Sequence, residues 1–270
     1  MKKTLSALLC IALVVMLALP TFAADAGKNA GTVAGTSAAM TLDGKKDAAY
    51  DKGLKVDGSL TEKEGKAGAA TVTYYVTYTK TDLWIFAEVK DATLATKLEK
   101  ETEPNYKMDS IEVMLDPTNK GENTPDVTPW QARIDYQGNL SARKGQKGTS
   151  LFHSPAKGGN VDFYDAKAVT VDGGFNAEYK IPMDGLKAGA KIGFNFCYND
   201  WSADGKTRVI SNTTLKTSSW KAEAYDYFTL GEIAAPAPAA APATADAASL
   251  AVAAMAVSLA AGAVIVTKKR

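Results

Sequence analysis

Glu112 and Arg133 are the first residues in this chain whose types and spacing suggest chemistry. Around Glu112, Ile111, Val113 and Leu115 alternate with Glu112 and Met114. Around Arg133, Ala132, Ile134 and Tyr136 alternate with Gln131, Arg133 and Asp135. Successive side chains of a strand point to opposite faces, so each run has one apolar face and one mixed face. If the two strands pair, a carboxylate and a guanidinium sit side by side on the face turned away from the core. Opposite charges held on sheet rather than loop suit recognition of a polar ligand such as a sugar. An ordinary cross-strand ion pair, with no ligand, gives the same pattern. Both readings stay open at this point.

Other chemistries find less support. The chain has one histidine, His153, in a stretch rich in Gly and Lys. Serine and cysteine triads need a histidine base, and zinc sites usually need several nitrogen or sulfur ligands. A haem held by His153 with Met108 or Met114 is a minor alternative. A glycosidase needs only two carboxylates, but no spacing in the chain pairs them, so the expectation is a protein that is not an enzyme. The run Asp116, Asn119 and Glu122 offers oxygen ligands on a loop, as calcium prefers, and fits a solvated turn equally well. A formal net charge of +1 leaves no electrostatic footprint for nucleic acid.

The elements that must position these groups are short alternating strands. Residues 70–78 alternate Val72, Tyr74, Val76 and Tyr78 against Tyr75 and threonines; residues 82–89 alternate Leu83, Ile85, Ala87 and Val89 against Trp84, Phe86 and Glu88. Lys80-Thr81-Asp82 makes them a hairpin. Later runs place Phe175, Ala177, Tyr179 and Ile181, then Ile192, Phe194, Phe196 and Tyr198, on one face, and a short strand over 229–233 closes the domain. Residues 54–68 and 141–159 read as loops, and helical periodicity is poor. The pattern predicts an all-β fold, an antiparallel, jelly-roll-like β-sandwich over residues 40–233. Val113, Ile134 and Phe194 are expected in its core. Of the two cysteines, only Cys197 lies in this domain, so no internal disulfide is expected.

The ends carry addresses. Residues 1–23 read as a signal peptide: Lys2 and Lys3, an apolar run, then Thr21-Phe22-Ala23 before a cleavage point at Ala24. Cys10 lies inside the apolar run, unlike a lipoprotein cysteine. Residues 24–39, small and polar, read as a flexible lead-in, and the Ala-Pro tract 234–248 as a semi-rigid linker. Residues 249–267 are apolar over nearly the roughly 20 residues that span a bilayer. Lys268-Lys269-Arg270 then form a basic cytoplasmic tail that leaves the domain outside.

Five segments resemble the family 9 carbohydrate-binding modules and their extracellular relatives, across about residues 41–233. They are Leu42-Asp43-Gly44 leading to Tyr50; the hairpin from Tyr75 to Asp91; Tyr106-Lys107-Met108-Asp109-Ser110-Ile111-Glu112; Gln131-Ala132-Arg133; and Ile192-Gly193-Phe194-Asn195-Phe196 with Asn199-Asp200. The resemblance implies a β-sandwich that binds sugars or polysaccharide ends, often with calcium. It also implies a ligand stacked between two aromatic rings, Tyr106 and Trp220 here, while Glu112, Asp109, Gln131 and Arg133 form the polar set. The chain has Tyr106 where the family usually has Trp, and Cys197 where its sugar-binders can carry an amide. Ala243-Thr244-Ala245-Asp246 before the apolar run resembles a degenerate sorting signal of Gram-positive surface proteins, without the Leu-Pro-x-Thr-Gly form. The expectation is a non-catalytic carbohydrate-binding protein on the outer face of the cell membrane or wall. The alternative is a structural or adhesive surface module without sugar binding.

Overall fold

The computed structural model describes residues 27–58, 60–62, 70–95, 107–121, 130–144, 164–213, 222 and 225–235. The strands are β1 (Asn29–Thr36), β2 (Leu54–Asp57), β3 (Leu60–Glu62), β4 (Thr71–Tyr78), β5 (Asp82–Lys90), β6 (Ser110–Asp116), β7 (Trp130–Asp135), β8 (Leu140–Lys144), β9 (Asp165–Val171), β10 (Gly174–Pro182), β11 (Lys191–Trp201), β12 (Arg208–Asn212) and β13 (Asp226–Ala234). A single 3-10 turn, Ala48–Lys52, interrupts them among the described residues. All belong to a unit ending at Ala234; a second unit begins at Ala235, its only described residue. No helix among the described residues is long and apolar enough to cross a membrane. Residues 1–26 and 236–270, where the signal peptide and membrane span are expected, lie outside the described residues.

The hydrogen-bonded order is β8-β7-β6-β11-β13-β1-β4-β5-β10-β9, with β2 on β4, β12 on β11 and β3 on β12. The halves on either side of β1 face each other. Tyr74 of β4 packs its ring 5.0 Å from that of Phe196 of β11. Phe175 of β10 lies 6.0 Å from Tyr198 of β11, and the Tyr179 hydroxyl donates to the Ile111 carbonyl at 2.8 Å. The apolar alternations of the sequence all point into this seam: Val72 to Tyr78, Leu83 to Val89, Phe175 to Ile181 and Ile192 to Tyr198 form one buried cluster. Val113 and Ile134 are fully buried there, and Phe194 nearly so. Burying this much apolar surface is the main driving force of the fold.

The structure departs from the sequence reading in three places. The expected flexible lead-in carries β1, which pairs in parallel with both β13 and β4, so the sandwich is mixed rather than wholly antiparallel. Small residues make this possible. A Cβ on Gly35 would stand 2.7 Å from Ile233 and from Tyr78, so only glycine lets β1 enter the seam between its neighbours. Propensity gave no warning, because Gly, Ala and Thr read as linker. Second, residues 54–57, 60–62 and 141–144 lie in strands where the sequence read as loop, and β12 had no recognised counterpart. Third, β6 is buried on both faces, because Met114, Cys197, Ala222 and Tyr225 pack as a second apolar cluster over its outer side.

Glu178, outward on β10, shows what the Asp-Gly turn is for. Its Oε2 accepts the N–H groups of Asp43 (3.1 Å) and Gly44 (3.0 Å), and its Oε1 accepts the Tyr50 hydroxyl (3.0 Å). Gly44 holds φ at 76°, the left-handed region open to glycine. Burial pushes the Glu178 carboxyl up to about 7, against the pull of those donors. A carboxyl whose folded pKa is raised keeps its proton longer in the native state, so raising the pH from the unfolded value through about 7 costs stability. Urea midpoints of the parent should therefore fall relative to those of Glu178→Gln between about pH 5 and about pH 8. Parallel curves for the two proteins would show that Glu178 is not held this way.

Candidate functional site: the outer face of β6, β7, β11 and β12

The register sets three rows of side chains on the outer face. Arg133, Glu112, Cys197 and Asn212 align across β7, β6, β11 and β12. On one side of that row lie Asp135, Ser110 and Asn199; on the other lie Gln131, Met114 and Asn195. Period-2 alternation thus converts residues far apart in sequence into one polar surface.

Glu112 is the hub of this surface. Its Oε1 accepts Arg133 Nε at 2.9 Å, Arg133 Nη2 at 2.8 Å and Asn199 Nδ2 at 2.7 Å. Its Oε2 accepts Gln131 Nε2 at 2.5 Å. Arg133 Nη1 reaches Ser141 Oγ at 3.2 Å. Tyr164 braces the same strand: its hydroxyl lies 2.7 Å from the carbonyls of both Arg133 and Ser141, either of which can accept its one proton. Burial pushes the Tyr164 hydroxyl above its usual range, so it stays a neutral donor.

The expected pairing of Glu112 with Arg133 is present, and Gln131 joins it. Its setting differs from the exposed face anticipated: both charged residues are only 4 % exposed. Charges this buried must be paired and fully hydrogen-bonded to persist. Asn199 and Ser141 supply the missing partners. Asn199 was legible only as part of a motif and Ser141 read as loop.

Beside the hub lies an incomplete network. Asn212 Oδ1 accepts Cys197 Sγ at 2.6 Å and Asn195 Nδ2 at 3.3 Å. Asn212 Nδ2, fully buried, has no hydrogen-bond partner among the described residues. A buried donor without an acceptor costs on the order of 1–3 kcal/mol.

Asp109 does not join this face. It has the parity of Ile111 and Val113, and points toward the seam between the sheets. Its carboxylate accepts the N–H of Trp201 at 2.6 Å and the N–H of Ala95. Burial raises its carboxyl to about 7, with smaller contributions from Asp91 and Asp200. Asp116, expected on a loop, is the last residue of β6 and turns its carboxylate onto the turn that follows: Oδ1 accepts Thr118 N–H (3.0 Å) and Oγ1 (2.9 Å), and Oδ2 accepts Gly121 N–H (2.8 Å). Asn119 follows with φ at 49°. Tyr106, Trp220, Glu122 and His153 lie outside the described residues.

Residues 42–228 match the family described as "Carbohydrate family 9 binding domain-like", and the chain belongs to it. Solved structures share the fold. A carbohydrate binding module family 9 from Caldicellulosiruptor kristjanssonii, in complex with glucose, is 15% identical with a TM-score of 0.61, covering 78% of this chain and 100% of that one. A module of this family from the same organism in complex with cellotriose is 16% identical with a TM-score of 0.60, over 78% and 100% of the two chains. No curated protein matches the chain.

Proposed function

We propose that this chain is a non-catalytic carbohydrate-binding protein whose sugar is held over the outer face of β6, β7, β11 and β12. One observation carries the reading: the fully bonded Arg133–Glu112 pair, tied to Gln131 and Asn199, lies beside Asn212, whose Nδ2 has no partner among the described residues. Sugars present a rim of hydroxyls and an apolar C–H face. Charge-assisted hydrogen bonds hold the first and aromatic rings cover the second. Family membership, and the sugar complexes of similar modules, point the same way. In the finer reading Tyr106 and Trp220 flank the ligand, Glu112, Arg133 and Gln131 form the slot's floor, and Asp109 anchors the strand that carries Glu112.

Passing the purified protein over soluble and insoluble polysaccharides tests this. Retention by at least one glycan, released by free sugar, is the expected result. Passage through every matrix would favour a structural or adhesive module.

The address signals at the two ends complete the proposal. The protein is held on the outer face of the cell by residues 249–267, with residues 234–248 as a spacer. Deleting residues 248–270 should move the protein from the cell pellet to the medium. A truncated protein that stays with the cells would count against the anchor.

A further inference from the structure

The residues named in the three rows of the outer face are all buried. Among the described residues, the face meets solvent one step further along β11. Odd-numbered side chains of β11 point to this face, so Trp201 follows Cys197 and Asn199 onto it. Trp201 pairs with Arg208 of β12, in the row beyond Asn199. Both are half-buried, as is Ile210 beside Asn199. Two residues along a strand span about 7 Å. The indole therefore stands next to Asn199, whose amide donates to Glu112 at 2.7 Å.

The backbone holds this pair firmly. The Arg208 guanidinium lies over the Trp201 ring, 5.7 Å from its centroid. The Trp201 N–H donates to the buried Asp109 carboxylate at 2.6 Å. The hairpin joining the two residues is tied along its length. The Ser202 N–H donates to the Thr207 carbonyl at 2.8 Å, the Gly205 N–H to the Ser202 carbonyl at 2.7 Å, and the Thr207 N–H to Ser202 Oγ at 3.0 Å. Gly205 makes the turn with φ at 67°. An aromatic ring and a guanidinium are thus presented from sheet and a bonded turn, which lowers the entropy lost when they take a ligand. Such a pair would steady a hairpin anywhere. Here it stands where the polar surface opens to solvent, and that position gives it a further use.

We propose, resting on the sugar-binding reading above, that Trp201 and Arg208 hold the second ring of a glycan chain whose end lies over the Glu112–Arg133 hub. The ligand is then a linear chain of at least two pyranose rings rather than a single sugar. A chain that leaves the buried hub toward solvent crosses the row that carries Trp201. The indole offers an apolar surface to the C–H face of that ring, and the guanidinium offers donors to its hydroxyls. The hub reads the terminal ring alone, so affinity grows with chain length through this pair.

Calorimetric titration with named sugars tests the proposal. The probes are glucose, xylose and mannose, and the β-1,4-linked trisaccharides cellotriose, xylotriose and mannotriose. The proteins are the full-length parent, Trp201→Ala and Trp201→Leu; the leucine fills the space without a ring, should the alanine variant not fold. For at least one sugar, the trisaccharide should bind the parent about tenfold tighter than the monosaccharide. A folded Trp201 variant should keep the monosaccharide affinity within about twofold and lose most of that tenfold gain. A purely structural role would shift the melting temperature and leave the ratio of the two affinities unchanged. A parent that binds every trisaccharide no tighter than its monosaccharide, or a Trp201 variant that keeps the parent's ratio, overturns the proposal and leaves the sugar site standing. So does a loss that falls equally on both sugars, which would put Trp201 against the terminal ring. No binding of any of these sugars also overturns it, and retention in the polysaccharide screen then shows whether the sugar-binding reading survives.

Discussion

Arg133→Ala should cost roughly 3–5 kcal/mol of stability, the penalty for leaving one partner of a buried pair behind. Glu112 is buried, and its Oε1 takes both Arg133 Nε and Nη2. With the guanidinium gone, only the Asn199 and Gln131 amides remain on that carboxylate. The double replacement Glu112→Leu with Arg133→Met should recover only part of the loss: it removes the stranded charge, but it leaves the Gln131 amide without the carboxylate that accepted it. A double variant as unstable as Arg133→Ala would place the cost in the lost hydrogen bonds rather than in the stranded charge. Urea midpoints of the three proteins decide it. A cost below about 1 kcal/mol for Arg133→Ala would mean that the pair is screened by solvent like a surface ion pair.

Phe194→Ala should be as damaging, at roughly 3–5 kcal/mol, with Ile134→Ala at about 2–5 kcal/mol and Val113→Ala at the low end or below. Phe194 lies 4.8 Å from the ring of Phe196 and 5.2 Å from that of Phe228. It also faces Leu115 across the β6–β11 ladder. Truncation therefore removes contacts on β6, β11 and β13 together and leaves a cavity that none of them can close. A change of less than about half a kcal/mol at Phe194, Ile134 and Val113 alike would refute the register on which the site depends.

The alternation made much of this legible. Because strand side chains repeat with period 2, Ile111, Val113 and Leu115 declared the core face of β6, and Glu112 followed on the other side without further information. The pairing of Glu112 with Arg133 follows from the same count on β7. What escaped was non-local. β1 is composed of residues that suit linkers, and only the approach of Tyr78 and Ile233 makes Gly35 the right choice. Asn212 joins the site through a strand too short to be recognised, and Ser141 through one that read as loop. Burial of the Glu112 face depends on Ala222 and Tyr225, which are distant in sequence and carry no periodic signal. Asp109 was grouped with Glu112 by motif, although its odd-numbered parity with Ile111 already put it on the opposite face.

The central claim is that a sugar binds over the outer face of β6 and β7, and calorimetric titration tests it most directly. The ligand is the glycan that the polysaccharide screen retains, and the proteins are the parent, Tyr106→Ala, Trp220→Ala and Asn212→Ser, each first shown to melt as the parent does. The two aromatic variants should each lose roughly 2 kcal/mol or more of binding free energy, by analogy with buried aromatic anchors at interfaces. Asn212→Ser should lose less, on the order of one hydrogen bond, about 0.5–1.5 kcal/mol. Three folded variants that bind the glycan as tightly as the parent would contradict the account and place the ligand elsewhere on the sandwich.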